Sequence, residues 1–147
     1  MNIRYENATT CDIEIIFQLN KTLIEKYEDI SKIDYKKVLE WVRKKIESNI
    51  NEYTCIFEND NKVGYFYFHK VEEKMEVDDL YIFKEYRNRG IGTEILKKCI
   101  SETNLPIFLY VFTKNTKAVS LYEKLGFKVV ENIKDSRYVM ERLQNIM

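Results

Sequence analysis

The stretch EYRNRGIGTEILKKCI, residues 85–100, constrains this chain more than any other, because it holds two of the four glycines, two positions apart, behind a pair of arginines. Before it, KMEVDDLYIF reads as a strand. After it, Ile91, Ile95, Leu96, Cys99 and Ile100 fall roughly on one face of a helix. A strand that passes through a glycine loop into a helix is suited to meet an anion. The first N–H groups of a helix have no intrahelical partner and carry partial positive charge, which a phosphate completes. Glycine removes the Cβ atoms that would hold a diphosphate away, and Arg87 and Arg89 add charge. The dinucleotide fingerprint G-x-G-x-x-G fails at Ile95, and the Gly-Lys-Ser/Thr of a P-loop is missing. What stands here is Arg-x-x-Gly-x-Gly, on Arg87, Gly90 and Gly92.

The remaining periodicities predict the elements around this loop. NIRYEN is a short strand. Residues 10–27 form an amphipathic helix on Ile13, Ile16, Phe17, Leu23, Ile24 and Tyr27, with Thr9 or Thr10 as its cap. Asp34 caps a second helix, in which Val38, Trp41, Val42 and Ile46 make one stripe. Trp41 on that stripe is expected in the core, and the lysines at 36, 37, 44 and 45 are expected to form a solvated face. EYTCIF and KVGYFYFHK make a hairpin across NDNK, with apolar residues on both faces, as in a sheet covered on both sides. PIFLYVF is a continuous apolar strand, hence a central one. Ala118, Leu121, Tyr122 and Leu125 mark a further helix, ended by Gly126 with Phe127 folding back. FKVVEN and SRYVMERL close a last hairpin around Lys134 and Asp135. The order β-α-α-β-β-β-α-β-α-β-β is that of an α/β fold with a mixed sheet, and residues 1–147 fit a single domain.

Composition narrows the function classes. Lysine plus arginine balance aspartate plus glutamate, 24 against 24, so no global basic field draws in nucleic acid. Cys11, Cys55 and Cys99 show no paired spacing, which predicts buried thiols in a reduced, cytoplasmic protein and neither a disulfide framework nor a metal site. The single histidine, His69, is expected to be structural or exposed. No apolar run approaches the ~18 residues of a membrane span.

About 25 residues beyond Gly92 comes NTKAVSLYEKLGFKVV. Together with Arg87-x-x-Gly90-x-Gly92, this Asn, Ala and Leu-Tyr-x-Lys-x-Gly-Phe pattern resembles the two signatures of the GNAT superfamily of acetyl-CoA-dependent N-acetyltransferases. The signatures cover residues 76–130, over a third of the chain. The resemblance implies a mixed, mostly antiparallel central sheet with helices on both faces, and a splayed parallel strand pair at the CoA site. Pantetheine would enter that gap and pair with the backbone of Leu80, Tyr81 and Ile82. The loop of Arg87, Asn88, Arg89, Gly90, Ile91, Gly92 and Thr93 would take the pyrophosphate. Asn115 would hold the pantetheine arm, and Tyr122 would face the CoA sulfur. Lys84 stands where many members have proline, which loosens the loop ahead of Arg87.

The implied reaction is direct attack of an amine on the thioester of acetyl-CoA, with no metal. The acceptor is a small-molecule or peptide amine, and the protein a monomer or homodimer with no nucleic-acid or membrane partner. A strand N–H near Ile82 would stabilise the oxyanion. An ammonium of pKa ~10 must lose a proton, and Glu76, Asp78 and Asp79 lie on the strand before the loop. Strand alternation puts Glu76 and Asp78 on one face and Asp79 on the other unless a bulge intervenes. Glu76 is the expected base, acting through water, with Asp79 its alternative. Each residue also has a plainer reading: Tyr122 as core, Asn115 as a cap, the glycines as a tight turn. A non-catalytic acyl-CoA-binding domain would keep the loop yet need neither Tyr122 nor a strand carboxylate.

Overall fold

The computed structural model describes residues 1–144, and its elements follow the periodicities of the sequence. Strand β1 (Ile3–Asn7) leads through a capped 3₁₀ turn into helix α1 (Ile13–Tyr27). The Thr9 hydroxyl and the Asp12 carboxylate cap that turn reciprocally, in a capping box. Asp34 caps α2 (Tyr35–Asn49) by accepting from the Lys37 N–H at 3.2 Å. Three antiparallel strands follow: β2 (Thr54–Glu58), β3 (Asn61–Val71) and β4 (Lys74–Ile82). Then come α3 (Ile91–Ser101), β5 (Ile107–Phe112), α4 (Thr116–Lys124), β6 (Lys128–Ile133) and β7 (Arg137–Arg142). Lys134 and Asp135, both at positive φ, turn the last hairpin.

The seven strands form one sheet in the order β1-β2-β3-β4-β5-β7-β6. Every pairing is antiparallel except β4 with β5. The alternation of β3 explains the two layers. Tyr65 and Tyr67 point to one face and pack with Ile16, Phe17, Val42 and Ile46 of α1 and α2. Phe66 points to the other and packs with Ile91 and Ile95 of α3. On that second face, Val119 and Leu121 of α4 cover Leu109, Val111 and Met140. Helices therefore flank both faces, as the resemblance implies.

Three expectations need correction. Trp41 is 64% exposed and no core anchor; its ring lies 5.8 Å from the Lys45 ammonium, one helical turn along α2. Lys45 is not part of a solvated face. Its side chain is only 19% exposed and reaches across to β4. Cys11 is exposed, while Cys55 and Cys99 are buried as expected.

Candidate active site

The parallel pair supplies the opening. β4 and β5 are paired only at Met75 with Ile107 and Glu76 with Phe108, although β4 continues to Ile82 and β5 to Phe112. Beyond Glu76 the strands part, and β5 turns its far edge to β7. Residues 77–82 of β4 thus keep β3 on one side and lack a β5 partner on the other. An unpaired strand edge is a template for another extended chain.

A bulge shapes this edge. Tyr65 opposes Tyr81 and Tyr67 opposes Asp78, so two residues of β4, Asp79 and Leu80, stand against Phe66 alone. Asp79 takes up the extra residue at φ 49°. The alternation resets there. Asp78, Asp79 and Tyr81 all join the α1–α2 face, while Leu80 and Ile82 pack toward α3. Asp79 therefore lies with Asp78, where unbroken alternation would separate them. Gly64 permits the bulge: a Cβ on it would stand 2.0 Å from the Tyr81 carbonyl oxygen.

The Asp79 carboxylate is 6% exposed and accepts from Tyr53 Oη at 2.5 Å, Tyr81 Oη at 3.0 Å and Lys45 Nζ at 3.2 Å. Asp78, 20% exposed, has only that same ammonium as a partner among the described residues, 3.2 Å from each of its oxygens. Burial pushes the Asp78 carboxyl up to about 7; the Asp79 charge adds to the rise and Lys45 opposes it. Glu76 is raised mainly by burial and pairs with His69 Nε2 at 3.1 Å. His69 stacks on Tyr67, their ring centroids 4.1 Å apart, and Tyr67 stacks in turn on Tyr53. His69 is thus half-buried, and burial pulls its imidazole down. One ligand atom each from His69, Glu76 and Asp78 lie within 4.8 Å of one another. That cluster has a cation's donor set, but the Lys45 ammonium already neutralises its Asp78 side.

At the tip of β4 the chain reaches the glycine loop. Arg87 Nε donates to the Ile82 carbonyl at 2.9 Å, leaving the rest of an exposed guanidinium free of protein partners among the described residues. Asn88, at φ 64°, is held to α4 by Lys117. Arg89 pairs with Glu58 at 2.7 Å and is thereby drawn toward β2. Gly90 is the N-cap of α3 at φ 83°, a conformation that side chains with a Cβ rarely adopt. The first α3 hydrogen bond runs from Glu94 N–H to the Gly90 carbonyl, so the N–H groups of Ile91, Gly92 and Thr93 precede the ladder. The Ile91 side chain is buried in the core, and only its backbone can face a ligand. A Cβ on Gly92 would find nothing nearer than Leu121 Cδ2 at 3.9 Å, ordinary contact. Internal packing does not require glycine there.

α4 brings the second signature to the same opening. Asn115 Oδ1 caps the helix by accepting from Ala118 N–H at 3.3 Å, which leaves its amide NH₂ without a protein partner among the described residues. At the other end, Phe127 N–H donates to Tyr122 O at 3.0 Å and Gly126 N–H to Glu123 O at 3.1 Å. This is a Schellman motif, and Phe127 packs edge-on against the Tyr122 ring. The motif fixes Tyr122 at the last turn, half-buried, its hydroxyl unbonded among the described residues. Burial pushes that hydroxyl up to about 12. Near the loop, a cleft of about 430 Å³ runs between Ile15 and Leu19 of α1 and the turn from Phe83 to Arg87.

A mixed sheet with one parallel pair that parts midway, a bulged strand beside it and a glycine-led helix at its tip make a GNAT-like architecture. The sequence profile described as the acetyltransferase (GNAT) family matches residues 16–127. The chain belongs to that family, and so is an acyltransferase by class. It is 29% identical to an N-alpha-acetyltransferase of Saccharolobus solfataricus, covering 92% of this chain and 90% of that one. It is 24% identical to an uncharacterized N-acetyltransferase of Methanocaldococcus jannaschii, over 93% of this chain but 66% of that protein's length. Among solved structures, PaiA N-acetyltransferase from Thermoplasma acidophilum, in complex with coenzyme A, superposes with a TM-score of 0.67 at 25% identity, covering 97% of this chain and 99% of the other. No helix of the described residues is long and apolar enough to cross a membrane.

Two features escape the sequence reading. Lys45 was detectable: it lies three residues from Val42 and next to Ile46 on the buried stripe of α2. Gly64 was detectable too, since a glycine inside a strand often marks a bulge or a close backbone approach.

Proposed function

We propose that this protein moves an acetyl group from acetyl-CoA to a primary amine, by direct attack in a ternary complex. The observation that carries the reading is the unpaired edge of β4, residues 77–82, running straight to the free N–H groups of Ile91, Gly92 and Thr93. Pantetheine pairs with the backbone of Leu80, Tyr81 and Ile82 as an added strand. The pyrophosphate lies on the loop from Arg87 to Thr93, with Arg87 its charge partner. Arg89, engaged with Glu58, contributes less. The Asn115 amide holds the pantetheine arm.

The amine enters from the α1–α2 side, where β4 presents its carboxylates, and a base among them takes the ammonium proton through water. Neutral nitrogen attacks the thioester carbon, and an N–H near Ile82 receives the oxyanion. The C–S bond then breaks. A free thiol has pKa ~8.5, so a tyrosine at about 12 protonates the thiolate only uphill, by roughly 5 kcal/mol. Tyr122 therefore serves the leaving sulfur chiefly as a hydrogen-bond donor. The acceptor is a small molecule or a peptide amine.

The test is a library of primary amines (polyamines, amino sugars, amino acids and peptides with free N-termini) incubated with acetyl-CoA, reading thiol release. Release that depends on one amine class is the expected result. Stoichiometric CoA binding with no amine-dependent release would favour a non-catalytic acyl-CoA-binding domain.

A further inference from the structure

Lys45 is a lysine carried on the buried stripe of α2. It sits on α2 between Val42 and Ile46, both in the core, and its ammonium spans 3.2 Å to Asp78 and 3.2 Å to Asp79. An ammonium is taken out of water at a cost that only close, well-bonded carboxylates offset. Here both carboxylates come from consecutive positions of one strand, which alternation normally sends to opposite faces. The bulge and the lysine are therefore two parts of one arrangement: the bulge brings the second carboxylate round, and the ammonium compensates the pair.

The two acids are not equivalent. Asp79 is saturated by Lys45, Tyr53 and Tyr81 and almost closed to solvent. Asp78 has only Lys45 among the described residues, is more open, and lies two residues past Glu76, the last β4 residue paired with β5. Its side chain is the most open of the three strand carboxylates, 20% exposed against 13% for Glu76 and 6% for Asp79. Glu76 pairs through one oxygen with His69 Nε2.

We propose that Lys45 is the positioning residue of the acetyl-transfer site: it clamps Asp78 and Asp79 across the bulge so that Asp78 is the base for the acceptor ammonium. This rests on the amine-acetyltransferase reading above. The ammonium R–NH₃⁺ gives one proton, through a water, to the Asp78 carboxylate. The resulting R–NH₂ forms the C–N bond as the C–S bond breaks. The second nitrogen proton balances the departing thiolate, and Asp78 returns its proton to solvent. Lys45 touches neither reactant. It holds the Asp78 carboxyl down against burial and against Asp79, so that the base is ionised near neutral pH. The groups facing this centre are Lys45 from α2, Glu52 and Tyr53 from the segment before β2, Tyr67 and His69 from β3, and Glu76, Asp79 and Tyr81 from β4.

The experiment compares pH profiles of kcat/KM for the best amine in wild type, Lys45→Met, Lys45→Arg and Asp78→Asn, with the KM for acetyl-CoA measured alongside. Removing the ammonium should move the acidic limb up by about one unit or more, the size of an opposite-charge effect. The loss at neutral pH should then recover in alkali, with the KM for acetyl-CoA unchanged. Lys45→Arg should restore the wild-type limb, and Asp78→Asn should abolish it. A Lys45→Met enzyme that is uniformly weaker at all pH, with its limb in place, makes Lys45 merely structural and overturns the proposal. A limb that survives in Asp78→Asn overturns it as well. Direct titration of the Asp78 carboxyl by NMR keeps this apart from the functional reading. Wild type that turns over no amine contradicts that reading. An Asp78 titration unchanged in Lys45→Met contradicts the clamp, and Asp78→Asn carries the kinetic test if Lys45→Met does not fold.

Discussion

Gly64 of β3 lies under the Tyr81 carbonyl of β4 so closely that a Cβ on it would stand 2.0 Å from that oxygen. The contact is backbone on backbone, and no side-chain rotation relieves it. A single hydrogen atom at position 64 thus sets how far β4 can bulge, and so how Asp78 and Asp79 come to share a face.

Gly64→Ala should cost about 1–3 kcal/mol of stability, the range for forcing atoms into a packed site. It should also weaken CoA binding, because the strand edge that pairs with pantetheine must move. Thermal melts and CoA titrations check this. An alanine variant with wild-type Tm and affinity would show that the β4 bulge is set elsewhere.

Gly92 separates a turn from a binding loop. Its Cβ position is open, and glycine inside a helix is roughly 1 kcal/mol less favourable than alanine. Gly92→Ala should therefore melt higher than wild type without ligand, yet show a smaller Tm rise on adding CoA. Gly90→Val differs, because φ 83° strains any β-branched residue: it should be destabilised and lose the CoA shift. If Gly92→Ala binds CoA as tightly as wild type, no phosphate approaches that atom.

Tyr122→Phe keeps the Schellman motif and the ring contact with Phe127, and removes only the hydroxyl. CoA affinity should be unchanged. Turnover should fall by about tenfold to a hundredfold, at or below the low end of general acid catalysis, because the hydroxyl is too weak an acid for full proton transfer. Unchanged turnover on a good acceptor would leave Tyr122 as packing alone.

Asp78 also predicts a pH dependence of stability. Its carboxyl is raised in the fold from the ordinary 3.8 to about 7, so the native state binds that proton more tightly than the unfolded chain. This acid therefore favours the native state most when protonated. That contribution is lost as pH rises through the window between those values. Glu76, raised in the same direction, adds to the slope. Asp78→Asn should flatten the fall in Tm between about pH 4 and 7, measured on the unliganded protein. A fall as steep as wild type would put the slope elsewhere.

Most of the layout is legible in the sequence because it rests on periodicity and punctuation. Asp34 caps its helix, Gly126 and Phe127 close α4, and Lys134 and Asp135 turn the last hairpin, each where local chemistry demands. The carboxylate geometry is different. A bulge adds one residue without altering composition or hydrophobicity, so counting by twos misplaces Asp79. Lys45 escapes for a related reason: its burial is decided by two acids far along the chain, and locally it is one lysine among several. Trp41 shows the converse, a large apolar side chain on a helical stripe whose edge the sheet does not cover.

The central claim is acetyl transfer to nitrogen at the parted β4–β5 edge. Its most direct test uses acetyl-CoA with an isotopically labelled acetyl group and the best amine from the library, with product and free thiol followed by mass spectrometry. The account predicts label on the amine nitrogen, one thiol released per amide formed, and loss of both in Gly90→Val. Thioester hydrolysis without labelled amide, or amide formation undiminished in a folded Gly90→Val protein, would contradict it.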